Sequence, residues 1–125
     1  MGLELDRRAA LDLWRGVTVH TVRADQPDLT ARQLAVLMTI YLSPPPHTVR
    51  GLAAQLDVGK PAITRALDAL SRLGLVKRKR DESDARNVLV QRTVKGSVFL
   101  ADFGDLIAAR ATGLHPGAEP AKPGL

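Results

Sequence analysis

Lys60, Pro61, Thr64, Arg65 and Asp68 fall on one side of a 3.6-residue period in the stretch GKPAITRALDALSRLG, with Ile63, Leu67 and Leu70 on the opposite side. If the stretch is a helix, the apolar trio faces a core and the polar five face outward. The chemistry available to that outer face is recognition of a polyanion. Lys60 at the helix start suits a phosphate, aided by the positive end of the helix dipole. Thr64 and Arg65 suit base edges, since the planar arginine fork bonds guanine O6 and N7 together. The plainer alternative is an amphipathic helix whose polar face meets only water.

A second set of residues follows at once. Residues 77–86 read KRKRDESDAR, four cations, then a group of acids, then a single arginine. Lys77, Lys79 and Arg80 would line a phosphate backbone from an extended strand, and Arg86 would project from the following loop. The acids Asp81, Glu82 and Asp84 would repel a polyanion unless they are turned away or paired. Thr48, Arg50 and Arg92 flank the two sets and are candidate phosphate contacts. The formal net charge of +5 lies entirely in residues 50–92, which hold ten basic and five acidic side chains; the segments on either side are balanced. Charge gathered on one segment of a small domain predicts a polyanion-binding face.

The elements that must position these residues can be read from their boundary signals. Leu5, Ala9, Leu13 and Val17 form a helical stripe within residues 3–22, with Leu3, Ala10 and Trp14 beside it, and the pattern breaks at Pro27. Thr30 and Gln33 make a T-x-x-Q capping box, and Leu34, Leu37, Met38 and Tyr41 continue as the apolar side of a second helix. SPPPH at 43–47 reads as a stiff loop. Thr48 then caps a short helix through Val49, Leu52, Ala53 and Leu56, and DVGKP turns the chain into the helix that carries Arg65. That helix ends at Gly74, placed for a left-handed cap with Leu75 folding back. Two helices joined by a tight turn outline a helix-turn-helix.

LVKRKR and NVLVQRT then predict a β-hairpin, and a last helix starts at Thr93 and runs through Val98, Phe99, Phe103, Leu106 and Ile107. The predicted class is mainly α with a small β-hairpin, a winged helix-turn-helix with flanking N- and C-terminal helices. The predicted divisions are an N-terminal helix over 1–27, the DNA-binding core over 28–93, a C-terminal helix over 94–112 and a Gly/Pro-rich tail over 113–125. Leu5, Leu13, Trp14, Val17, Phe99, Phe103, Leu106 and Ile107 are candidates for a dimer interface, and equally for closing an intramolecular core.

Other chemistry finds little support. With no cysteine there is no disulfide or thiolate site. His20, His47 and His115 lack metal-ligand spacing, so no metal or other cofactor is expected. GKP at 59–61 lacks the upstream glycine and the Ser or Thr of a phosphate loop. No enzymatic activity is therefore expected. No apolar run reaches the roughly 18 residues of a membrane span, and the first residues lack a signal-peptide core, which predicts a cytoplasmic protein. Aromatic residues are 3% of the chain, which leaves little to stack on a phenolic effector, so small-molecule control is expected to be weak or absent.

The run VRGLAAQLDVGKPAITRALDALSRLGLVKRKRDESDARNVLVQRTVKG resembles the DNA-binding core of MarR-type transcriptional regulators. Asp81, Asp84 and Arg86 match that family's D-x-x-D-x-R wing pattern, with Thr93, Lys95 and Gly96 at the expected interval. The resemblance extends over about residues 29–97. It implies a bacterial, nucleoid-associated homodimer on double-stranded DNA, usually a repressor, often released by a small ligand. It further implies that Arg86 enters the minor groove and that Asp84 supports it. Gly59 stands where that family commonly has a capping serine, and Arg92 replaces an apolar residue, so that the wing packs differently or gains a phosphate contact. The region after the wing is short, about Val94 to Ala111, where the family has two long helices. A truncated winged-helix adaptor that binds another regulator is the alternative.

Overall fold

The computed structural model describes residues 4–113. They form α1 (Arg7–Arg23), α2 (Ala31–Leu42), β1 (His47–Thr48), α3 (Val49–Leu56), α4 (Lys60–Arg72), β2 (Val76–Arg80), β3 (Val88–Arg92) and α5 (Val94–Thr112). The fold is the mainly helical winged helix-turn-helix that the boundary signals predict. None of the described helices is long and apolar enough to cross a membrane. Leu3, His115 and the Gly/Pro-rich stretch from residue 114 lie outside the described residues. The chain divides into two compact units, one of residues 29–100 and one of the residues to either side.

The central unit is built on the apolar faces of three helices. Thr30 Oγ1 accepts from Gln33 N at 3.1 Å while Gln33 Oε1 accepts from Thr30 N at 3.0 Å, so the capping box closes in both directions. Val36, Leu37 and Ile40 of α2 meet Leu52 of α3 and Ile63, Leu67 and Leu70 of α4, each 1% exposed or less. Removing side chains of this size from water contributes roughly 1.5–3 kcal/mol apiece. The buried face of α2 is turned slightly from the stripe the spacing suggests. Met38 and Tyr41 are only half-buried.

The helix-turn-helix itself is fixed by local bonds. Thr48 Oγ1 accepts from Gly51 N at 2.9 Å and starts α3. Asp57 takes the left-handed conformation (φ 53°) at its end. Gly59 precedes α4 with no side-chain cap, and Pro61 occupies the first turn, where its missing N–H costs nothing. Gly74 (φ 76°) closes α4 with both bonds of a Schellman motif, Leu75 N to Leu70 O at 2.9 Å and Gly74 N to Ser71 O at 3.0 Å.

The hairpin pairs Val76 with Arg92, Arg78 with Val90 and Arg80 with Val88. A third strand appears that the proline-rich reading of residues 43–47 missed. His47 and Thr48 pair with Val90 and Leu89, giving a sheet of order β1-β3-β2. His47 is therefore a buried strand residue, 6% exposed, with Nε2 3.2 Å from Ser43 O.

One hydroxyl ties the base of the hairpin to the rest of the unit. Tyr41 OH donates to Leu75 O at 2.7 Å and accepts from Thr93 N at 2.9 Å. Thr93 Oγ1 in turn donates to Gly74 O at 2.7 Å and accepts from Gly96 N at 3.0 Å, capping α5. Gly96 is buried here, and a Cβ at that position would collide with Tyr41 Oη and Leu75 O. Gly104, by contrast, has nothing within 4 Å, and nothing in the structure requires a glycine there.

In the outer unit, Asp6 caps α1 by accepting from Ala9 N at 2.7 Å, so the helix starts at Arg7 and Leu5 precedes it. Val17 is its fully buried residue, while Leu11 (51%) and Trp14 (49%) stay exposed. Leu13, Phe103, Leu106 and Ile107 are half-buried. Gly16 lets the Arg110 side chain lie across α1, Cδ coming within 3.1 Å of where a Cβ would stand. Two of the residues named for a dimer interface are thus taken up by a single chain. Val17 is closed at 1% exposure, and Phe99 packs on the core of the central unit.

Candidate nucleic-acid interface

The exposed side of α4 carries Lys60, Pro61, Thr64 and Arg65, because Ile63, Ala66, Leu67 and Leu70 turn the other way into the core. Asp68 lies on the same side one turn further on, half-buried, and does not stand free. Its Oδ1 accepts from Arg78 NH1 at 2.7 Å, joining α4 to β2. Arg78 was absent from the residues read as functional. Strand alternation carries the signal that would have found it, since residues 76, 78 and 80 share a face. Val76, buried, shows that this face is the inner one.

The same alternation divides the wing cations. Lys77 and Lys79, opposite Gln91 and Leu89, project from the outer face, whereas Arg80 shares the inner face with Arg78. All four are exposed.

At the tip, the backbone turns through Asp84 N to Asp81 O at 3.3 Å and Asn87 N to Asp84 O at 2.9 Å. Two of the three acids are paired. Asp81 Oδ1 accepts from Ser83 Oγ at 2.7 Å and Ser83 N at 3.0 Å. Asp84 Oδ1 accepts from Arg86 N and from Arg86 Nε, each at 3.1 Å, and Oδ2 accepts from NH2 at 3.3 Å. The Arg86 bonds hold the Asp84 carboxyl below its ordinary value, with Arg50 adding a smaller favourable charge. The Ser83 bonds lower Asp81 in the same way. The Arg86 side chain nevertheless remains 81% exposed, so it is anchored along one edge and open to a partner along the rest.

Among the flanking residues, Arg50 is exposed on α3, and Thr48 Oγ1 is engaged in capping that helix. Arg92, expected either to change the packing of the wing or to contact phosphate, turns back on its own unit, donating from Nε to Ile40 O at 3.0 Å and from NH2 to Ser43 O at 2.9 Å. Its guanidinium lies 5.8 Å from the centroid of the Tyr41 ring. The last turn of α2 has unpaired carbonyls, and an arginine within reach satisfies them.

Residues 29–88, which run from the start of α2 to the end of the wing tip, match the sequence pattern of the MarR family. At 32% identity, the chain also resembles the transcriptional repressor CouR bound to a 23-mer DNA duplex, over 85% of this chain and 72% of that one, with a TM-score of 0.66. The chain belongs to the MarR family. The fold is shared more widely among MarR-type structures. The S. aureus MepR–DNA complex matches at 21% identity and a TM-score of 0.71, covering 82% of each chain. MarR itself matches at 24% identity and a TM-score of 0.61, over 86% of this chain and 72% of that one. Within this MarR-family frame the paired Asp84 and Arg86 occupy the wing tip, and Thr64 and Arg65 the exposed side of the second helix of the helix-turn-helix.

Proposed function

We propose that this chain is a sequence-specific, double-stranded-DNA-binding transcriptional regulator that acts as a repressor. The observation that carries the reading is the tip of the wing. Arg86 is held by three hydrogen bonds to Asp84 yet exposed, on a hairpin next to the polar side of α4. An arginine prepositioned on a narrow ribbon suits the minor groove, whose negative potential attracts it. The start of α4 suits the adjoining major groove, with Lys60 on a phosphate and Thr64 and Arg65 on base edges. Lys77 and Lys79, on the outer face of the wing, and Arg50 on α3 add phosphate contacts. That CouR and MepR are both described in complex with DNA supports the same reading for a relative of this fold.

The working form is a homodimer. Leu11 and Trp14 leave a large apolar area of α1 open to water, and a second copy of the chain would cover it. The test is selection of bound sequences from a random duplex library, with the mass of the complex measured on the same preparation. Two half-sites about 10 base pairs apart, two chains per duplex and an affinity that falls steeply with salt are expected. A monomer without salt-sensitive affinity for any duplex would overturn the proposal in favour of a protein-binding adaptor.

A further inference from the structure

We propose that Asp68 and Arg78 form a strut that sets the angle between α4 and the wing, and that Asp68 is a positioning residue rather than a DNA contact. This deepens the reading of that surface as DNA-binding and rests on it. The geometry is that of a braced corner. α4 and β2 meet at Gly74, whose Schellman bonds and Thr93 contact fix the corner itself. Those bonds all lie at the vertex, and they resist opening of the two arms poorly. The Asp68–Arg78 bond, at 2.7 Å, joins the arms beyond the vertex, about one turn up α4 from Arg72 and two residues along β2 from Val76.

The lever is long compared with the brace. The wing tip lies ~20 Å along the strand from the corner, so a rotation of ~10° would move it by ~3 Å, the length of a hydrogen bond. The α4 face and Arg86 could not then both keep their contacts on one duplex. Asp68 also sits beside Thr64 and Arg65, where an unpaired carboxylate would only repel phosphate. Its charge on that face is explained by Arg78, which it neutralises and aims. Because exposed ion pairs add little to stability, the role is orientation.

The test uses the full chain with Asp68→Ala, Arg78→Ala and the double substitution, each checked for an unchanged melting temperature within a few degrees. Asp68→Ala is expected to bind the selected duplex about fivefold or more weakly, the lower end of what one mismatched base pair costs, although it removes a negative charge. Random duplex is expected to bind as well as before or better. The double variant should be no worse than Arg78→Ala alone. Equal or tighter binding of the selected duplex by Asp68→Ala would overturn the strut, and so would additive losses. A second measurement needs no DNA. The chain has no cysteine, so spin labels at Thr64→Cys and Glu82→Cys report the angle directly. A distance distribution that broadens on Asp68→Ala supports the strut, and an unchanged one overturns it. A wild-type chain that binds no duplex would remove the proposed function, with the label distances still deciding the strut.

Discussion

The carboxylate of Asp84 grips Arg86 both at its backbone amide and along its guanidinium, at 3.1, 3.1 and 3.3 Å. The acid thereby cancels charge at a tip that is proposed to enter DNA, and it also stops the longest rotor there from sampling other directions. The two effects oppose each other, and their balance is measurable. Asp84→Ala is expected to weaken binding to the selected duplex although the net charge becomes more positive. Arg86→Ala should weaken binding to the same duplex as well. A mobility-shift titration at fixed salt checks both. Tighter binding by Asp84→Ala would mean that charge cancellation outweighs orientation.

The same pair predicts a pH dependence. Arg86 stabilises the ionised form of Asp84, so its carboxyl titrates below the ordinary value of 3.8. A depressed folded-state value means that the interaction is fully present above the unfolded value and is lost as pH falls through the folded one. Amide signals of the wing tip should therefore hold steady from neutrality down to the ordinary aspartate range and change only below it. Carboxyl titration by NMR checks this, and Arg86→Ala should move the Asp84 midpoint upward. The lowering at Asp81 has another cause, the Ser83 bonds, and Arg86→Ala should not produce the same rise there.

Gly96 carries a different kind of prediction. The position of a Cβ is already occupied by Tyr41 Oη and by the backbone oxygen of Leu75, and backbone cannot swing aside as a flexible side chain can. Gly96→Ala should destabilise the central unit by about 1–3 kcal/mol, the usual cost of overpacking. Gly104→Ala, in open space on the same helix, should stabilise slightly through helix propensity. Paired thermal melts of the two variants check the contrast.

Much of this arrangement was legible in the sequence because its signals are local. The capping box at Thr30, the left-handed turn at Gly74, the Thr48 cap and the charge run of the wing each act within a few residues, and each lies where its pattern predicts. What was not legible depends on partners far apart in the chain. Nothing near His47 announces a strand, because its pairing partner is Val90. By its spacing Asp68 is one more outward polar residue of α4, because Arg78, which binds it, lies ten residues on and in a strand. The need for a glycine at position 96 comes from Tyr41 on α2, more than fifty residues earlier in the chain. Arg92 follows the same rule, since a cation beside a basic hairpin suggests a phosphate ligand, while the carbonyls of Ile40 and Ser43 that it reaches lie about fifty residues away in the chain.

That last case separates two roles for one charge. If Arg92 clamps the end of α2, its removal frees the carbonyls of Ile40 and Ser43 to seek water and removes a cation from above Tyr41. Arg92→Ala should then lower stability by about 1–2 kcal/mol, since the clamp is partly exposed. A phosphate ligand would behave otherwise. Each neutralised phosphate contributes about 0.9 to the slope of log affinity against log salt, so its loss flattens that line by about one. The clamp predicts an unchanged slope together with a lower melting temperature. Measuring both on Arg92→Ala, with Lys77→Ala as the phosphate-facing comparison, decides between them, because Lys77 projects from the outer face of the wing and its loss should flatten the slope while leaving the melt nearly as it was.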